Sequence, residues 1–424
     1  MPTRPTRSSL LAAALVVAAC SDAVGPGVEQ ITELPRALTT SEQAVIAASN
    51  VFGLDLAARV AAADTRPNVV LSPLSASMAL GMTLNGADGA TFDAMRGALG
   101  FGSLTQAEIN ASYRGLIDLL TDLDPNVRFE IANAIWANEG VPFHQAFFDA
   151  VAAAFDASSE SRDFADPATL AAINAWVEGH TDGLIDTIVE QLDPALVMLL
   201  VNAIYFDGAW TTQFDPQDTR TQSFTRENAS TVNVDMMSFT DVEMPVGFGA
   251  TYAAVELPYG GQAFSMVLVL PHPGTSARDF LATLDAGAWD ALTAGLAPRD
   301  LDLLSIPKFT LTYDAFLNDA LQAMGMDPAF KPGADFTRMS PIGDQLCIDF
   351  VRQKTFIEVD ERGTRAAAVT AVGVGRVSFN GFVADRPFVF AIRERLSGTI
   401  LFVGLVGDPT AQDPGPDALT SDCS

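Results

Sequence analysis

Histidine is almost missing from this chain of 424 residues: His144, His180 and His272 are all there is. None stands near a nucleophile-elbow or metal-ligand motif, so a Ser/His/Asp hydrolase is not supported and neither a catalytic residue nor a metal site is expected. His180 falls in a helical stretch and His272 in a Pro271-His-Pro273 turn, both ordinary surface settings. Cysteine is as scarce, with Cys20, Cys347 and Cys423 too few for a disulfide framework and without zinc spacing. Positive charge is short as well: 24 basic against 52 acidic residues give a net charge of -28. That balance excludes a nucleic-acid or anionic-lipid surface as the main partner. No internal repeat and no dividing linker appear, and no stretch reaches the roughly 18 uninterrupted apolar residues of a membrane span. What remains is an acidic, apolar-rich chain with 49% hydrophobic residues, enough for a large core.

The N-terminus has its own pattern. Arg4 and Arg7 precede the apolar run 10–19, which is too short to span a bilayer and reads as a signal peptide over residues 1–19. Val17-Ala-Ala-Cys20 is similar to a bacterial lipobox, whose small residues suit the peptidase and whose cysteine thiolate takes the lipid. Cys20 is therefore the expected lipidation site, and residues 20–38, with Gly25-Pro26-Gly27, a flexible tether. Such a protein is exported, lipid-anchored to the cell envelope or secreted, and touches membrane through the anchor only. Cys347 and Cys423 then either bridge, pinning a tail over 411–424, or both stay free.

From residue 39 the spacing of Val45, Ala48, Phe52, Leu56 and Val60 predicts a helix. Asn68-Val-Val-Leu71 predicts a short buried strand that enters a second helix, with Ser72 as cap, Pro73 in its first turn and Asn85-Gly86 at its end. Helical and strand-like runs alternate to about Val201. Strands dominate afterwards, with Val255–Leu257, Phe264–Leu270, Leu301–Ile306, Gln345–Val359, Pro387–Ile392 and Thr399–Val403 expected. This order implies an α+β fold rather than a doubly wound sheet.

One run has no obvious partner: the thirteen residues from Gly363 to Gly375, which carry no charge except Arg365 and no bulky side chain. In an extended chain Thr364, Ala366, Ala368, Thr370, Val372 and Val374 share one face, uniformly small or β-branched, and Arg365 falls on the other. Such a face can slide between two existing strands. An Ala/Gly surface loop has the same composition.

Several segments together resemble the serpin family over roughly residues 39–410. They are Asn68-Val-Val-Leu-Ser-Pro-Leu-Ser75 with Met82–Thr91, Ile173-Asn-Ala-Trp-Val177, Asn202-Ala-Ile-Tyr-Phe-Asp-Gly-Ala-Trp210 with Phe214 and Thr219, Glu256–Gly260, Pro307-Lys-Phe309, and Ala384-Asp-Arg-Pro-Phe388. The resemblance implies the serpin fold, three β-sheets with about nine helices and a reactive-centre loop at about 361–384. It implies a monomeric suicide-substrate inhibitor of serine, or by the same acyl chemistry cysteine, proteases, with no cofactor. Glu361, Gly363, Thr364, Ala366, Ala367, Ala368 and Thr370 would form the hinge that inserts after cleavage. Ser72, Ser75, Asn202, Trp210 and Gln353 would control sheet opening. Gln353 stands where many relatives carry histidine, so an amide latch without imidazole pH sensitivity is expected. Counting from Gly363 places the reactive bond at Val377–Ser378, which suits an elastase-like protease; counting back from Pro387 selects Arg376–Val377, which suits a trypsin-like one. A subtilisin-like target is a third choice, and a non-inhibitory binding protein on the same fold is the alternative function.

Overall fold

The computed structural model describes residues 29–363 and 380–416. Helix α1 (Thr40–Ala63) starts at a reciprocal cap, in which the Thr39 hydroxyl accepts from Glu42 N while the Glu42 carboxylate accepts from Thr39 N. Its length and mean hydropathy of 1.4 would let it cross a membrane, but 61% of that stretch is buried in the fold, where it acts as a core helix. Strand β1 (Asn68–Leu71) is wholly buried, and Ser72 caps α2 (Pro73–Leu84) by accepting from Ser75 N, as the sequence predicted. Asp88 caps α3 (Gly89–Ala98), and Thr105 with Glu108 repeats the reciprocal cap on α4 (Gln106–Thr121).

Then come β2 (Val127–Asn138), α5 (Gln145–Phe155), β3 (Ser158–Arg162), α6 (Pro167–His180) and β4 (Met198–Gly208). The strand-rich part follows: β5 (Arg220–Thr225), β6 (Thr231–Phe248), β7 (Tyr252–Tyr259) and β8 (Phe264–Pro271). After α7 (Ala277–Thr283) and α8 (Ala286–Ala294) come β9 (Ala297–Pro307), β10 (Phe309–Phe316), α9 (Asn318–Leu321) and β11 (Arg352–Val359). β12 (Gly381–Val383), β13 (Phe388–Glu394) and β14 (Ile400–Val406) complete the set.

The described residues thus hold nine α-helices and three sheets, an α+β fold. The largest sheet has nine strands in the order β1-β14-β13-β8-β7-β6-β9-β12, with β5 on β6. Every residue of β8 and β14 is buried, with α1 and α2 packed on β14 and α7 on β8. That explains their continuous apolar runs in place of alternation. The other two sheets are β3-β2-β4 and β10-β11. A separate small core lies under α6, where Ile173 and Val177 meet Trp136, Leu199 and Val201.

Two expectations need correction. The strand expected over Gln345–Val359 begins only at Arg352. Before it, Ile348 N donates to Ala329 O and Val351 N to the Asn318 side chain, so these donors serve a loop and a side chain in place of a neighbouring strand. The tether expected over 20–38 is packed from residue 31 onward. Ile31 N donates to Gly261 O at 2.7 Å, Arg36 pairs with Glu42, and Ile31, Leu34 and Leu38 lie against the main core.

Candidate functional site

Among the described residues, no backbone ladder joins β4 to β11, although both line one cavity. The cavity runs between Val201–Asp207 of β4 and Gln353–Glu358 of β11, with Ser72 and Ser75 at its floor. A second space of about 400 Å³ shares Ser75, Asn202 and Gln353 with it and is lined by Ala76, Leu80, Leu200, Ile348 and Phe350 among others. Its roof is the chain following α6. Lys354 Nζ donates to Thr187 O at 2.7 Å, and Asn174 bonds both N–H and C=O of Val189, so the roof is held from β11 on one side and from α6 on the other.

At the floor, Gln353 Oε1 accepts from Ser72 N at 2.9 Å and Gln353 Nε2 donates to Ser72 O at 2.9 Å, while Ser72 Oγ donates to Leu401 O at 2.7 Å. One amide satisfies both backbone groups of the residue that joins β1 to α2, which a histidine in one tautomer could also do only by splitting its two nitrogens between them. Ser72, Ser75, Asn202 and Gln353 line one cavity, but Asn202 does not bond to the others. Its Nδ2 donates to Asn133 Oδ1 at 2.6 Å, and its Oδ1 is buried with no partner among the described residues. Thr355 Oγ1, on the facing strand, is likewise buried and unpartnered.

At the upper end the chain leaves β11 through a two-residue turn, in which Asp360 and Gly363 exchange backbone hydrogen bonds. Gly363 then bridges Ala209 in antiparallel sense, just beyond β4. Only glycine fits there: its φ is +150°, and a Cβ would stand 2.1 Å from Gly208 O. Trp210 holds the turn twice, its indole Nε1 donating to Asp360 O at 2.8 Å and its backbone N to Arg362 O at 2.6 Å. The ring stacks on Tyr259 at 4.4 Å between centroids and meets Phe214 edge-on. Phe214 N in turn donates to Glu361 O.

The carboxylate of Glu361 is buried and takes Lys308 Nζ at 2.8 Å and Thr219 Oγ1 at 2.7 Å. Burial works to raise this carboxyl, but the Lys308 ammonium and the Thr219 hydroxyl outweigh it and hold it below its ordinary range. Asp360 goes the other way. Burial pushes it up, only partly opposed by the Arg362 N–H, and its Oδ2 has no partner among the described residues. Lys308, Thr219, Asp360 and Lys354 had not been singled out as site residues. A compositional signal was present, since Lys308 and Lys354 are two of only three lysines in the chain.

The remaining hinge and reactive-bond positions, Thr364, Ala366, Ala367, Ala368, Thr370, Arg376, Val377 and Ser378, lie outside the described residues, as does Cys20. Cys347 is disulfide-bonded, with its partner also outside them, so it is not the free thiol that the sequence left open.

The family described as Serpin (serine protease inhibitor) matches residues 47–409. Neuroserpin of Gallus gallus is 32% identical over 367 residues, covering 83% of this chain and 88% of that protein. Glia-derived nexin of Rattus norvegicus is 31% identical over 371 residues, covering 84% and 91%. Among solved structures, the native state of the thermophilic serpin tengpin superposes with a TM-score of 0.77 at 31% identity, over 90% of this chain and 97% of that one. A thyroxine-binding globulin complex with thyroxine gives 0.78 at 26% identity, over 86% and 99%.

Proposed function

Because this chain belongs to the serpin family, whose members are mostly protease inhibitors, we propose that it is a suicide-substrate inhibitor of serine proteases. One observation carries this reading. The chain leaving β11 has already turned antiparallel and made its first contact beside β4, at the mouth of an unladdered lane, and the sequence that follows is small and uncharged on one face.

The chemistry then follows in order. The protease serine oxygen attacks the Val377 carbonyl, the peptide bond to Ser378 breaks, and the new amine leaves with a proton while Val377 stays esterified to the enzyme. Residues 364 onward enter the lane, where their backbone groups pair with β4 and β11 and their small side chains pass the Ser72–Gln353 floor. The free energy of completing the sheet pulls the tethered enzyme away from the loop's origin before water can hydrolyse the ester. Glu361, Trp210 and Lys308 hold the pivot about which this happens. With Cys20 lipidated, the inhibitor stands on the outside of a membrane, held by its anchor.

Incubation of the chain from residue 21 with elastase-, trypsin- and subtilisin-like proteases tests the reading. A denaturation-resistant band at the summed mass is expected, and the mass of the released C-terminal peptide assigns the bond to Val377–Ser378 or Arg376–Val377. Cleavage by every protease without such a band would leave the binding role suggested by the likeness to thyroxine-binding globulin.

A further inference from the structure

The turn at Gly363 fixes one end of the reactive loop, and the chain meets β9 again at Asn380, with 16 residues between the two. Asn380 is exposed, so hydrogen bonds and not apolar burial hold it. Its backbone N donates to Asp302 Oδ2 at 2.9 Å, its carbonyl accepts from Asp302 N at 2.8 Å, and its side-chain Nδ2 donates to Asp300 O at 2.6 Å. Both backbone groups and the side chain of one surface residue are thus taken up by β9. Beyond it β12 continues as the last strand of the nine-stranded sheet, three residues long and parallel to β9, with Phe382 buried. Parallel pairing is slightly weaker per residue, so an edge strand this short gains from a cap at its entry. The Asp302 N–H bond belongs to the backbone and survives any side-chain change, which makes the carboxylate the replaceable part of the cap.

Chain length gives this contact a use. β11 has eight residues along the lane. A strand that pairs with all of them takes eight residues down from Gly363, and the other eight must climb back the same distance, about 26 Å at 3.3 Å per residue. The reversal at the bottom consumes residues as well. An uncut loop therefore fills the lane only if Asn380 is let go, whereas a loop cut near Val377 is no longer joined to Asn380 and needs no such release.

We propose that Asp302, together with the Asp300 carbonyl, is a positioning residue that clasps the far end of the reactive loop and makes filling of the lane wait until the loop is cut. This regulation rests on the insertion mechanism proposed above. Its immediate object, the Asn380 backbone, lies within the described residues and can be followed without any protease.

Three forms of the full chain test it: unaltered, Asp302→Ala and Asp302→Asn. Asparagine keeps an oxygen that accepts from Asn380 N, so it should behave as the unaltered chain. In Asp302→Ala, amides of residues 380–383 should exchange about tenfold faster, while those of β13 stay unchanged. Held warm without protease, the uncut Asp302→Ala chain should lose trapping capacity and gain resistance to denaturant about tenfold faster than the other two. Chains first cut in the loop by a protease that they do not trap should gain that resistance at one rate in all three forms, because cutting has already freed the loop. Unchanged exchange in Asp302→Ala would overturn the clasp, and so would equal rates for the three uncut chains. If exchange rises as stated but no chain, cut or uncut, gains resistance, the insertion reading itself fails and the regulatory role of Asp302 goes with it.

Discussion

The nine-stranded sheet is closed along its interior, where each inner strand pairs on both sides, whereas among the described residues no ladder joins the two smaller sheets. Inside the closed sheet, polar side chains meet: Ser238 Oγ lies 2.9 Å from Ser305 Oγ, and Glu256 takes both Ser265 and Arg393 at 2.7 Å. Along the lane between β4 and β11, among the described residues, Asn202 Oδ1 and Thr355 Oγ1 are buried and unpartnered, and the two strands share no ladder. The interior of the nine-stranded sheet has no pairing left to gain. The open pair does, and under the insertion mechanism proposed above this is where the free energy for the later step would be stored.

The strongest way to break this contrast is to prevent the missing strand from entering. Thr364→Arg places a guanidinium on the inserting face, where burial without a partner costs several kcal/mol. We expect the variant to be cut as a plain substrate, with its yield of covalent complex reduced by about a hundredfold or more, read by denaturing gel. Undiminished trapping would mean that insertion is not what arrests the protease.

Trp210→Ala comes next. It removes an indole that is 3% exposed, stacked on Tyr259 and donating to Asp360 O, and a cost of about 3–5 kcal/mol is expected from the truncation. Truncating Phe390 in the closed sheet should cost a similar amount, but only Trp210→Ala should also change the rate of protease trapping. Chemical denaturation and complex-forming kinetics on both variants make the distinction, and equal trapping rates would show that the hinge end has no special role.

Lys308→Met leaves the Glu361 carboxylate buried with Thr219 alone, an expected loss of about 1–3 kcal/mol. Its sign with pH is fixed. Because Glu361 titrates below its ordinary 4.5 in the fold, its stabilisation is complete above that value and is lost as pH falls through the lower folded value. Asp360 acts oppositely: raised above 3.8 in the fold, its ionised form costs stability, and acid relieves that cost. Thermal inactivation followed from neutral pH into the acid range should show a Glu361-dependent decline in the unaltered chain that is much weaker in Lys308→Met. A decline of the same size in both would remove the ion pair from the hinge.

These expectations also separate what the sequence could show from what it could not. The Ser72 cap, Pro73 and the apolar tetrad before them are local signals, so β1 and α2 were legible from a dozen residues. Segment 345–351 was misread because its apolar composition suits a strand, whereas a strand also needs a neighbour, and β4 does not supply one. The Ser72–Gln353 latch spans 281 positions and the Lys308–Glu361 pair 53. Resemblance named Ser72, Gln353 and Glu361 as site residues, whereas Lys308 stood out only as part of Pro307-Lys-Phe309 and as one of three lysines, neither of which names its partner. Asn202 lines the cavity between β4 and β11, and its bond to Asn133 follows from the β2–β4 register, which pairs the two residues directly.

The smallest expected effect tests the contrast most directly, because its sign should differ between the two regions. Thr355→Val removes a buried hydroxyl that has no partner and keeps the side-chain shape, so the native state should gain about 1 kcal/mol. Ser305→Ala removes one member of a paired, fully buried couple in the closed sheet and leaves Ser238 Oγ without its partner, so about 1 kcal/mol should be lost. Stabilising the native state on the lane also narrows its gap to the inserted state, so Thr355→Val should trap protease slightly more slowly, while Ser305→Ala should not alter trapping. Denaturation midpoints of the two variants decide the matter. If both fall, the Thr355 hydroxyl is satisfied in solution, and the lane is no less complete a polar environment than the sheet beside it.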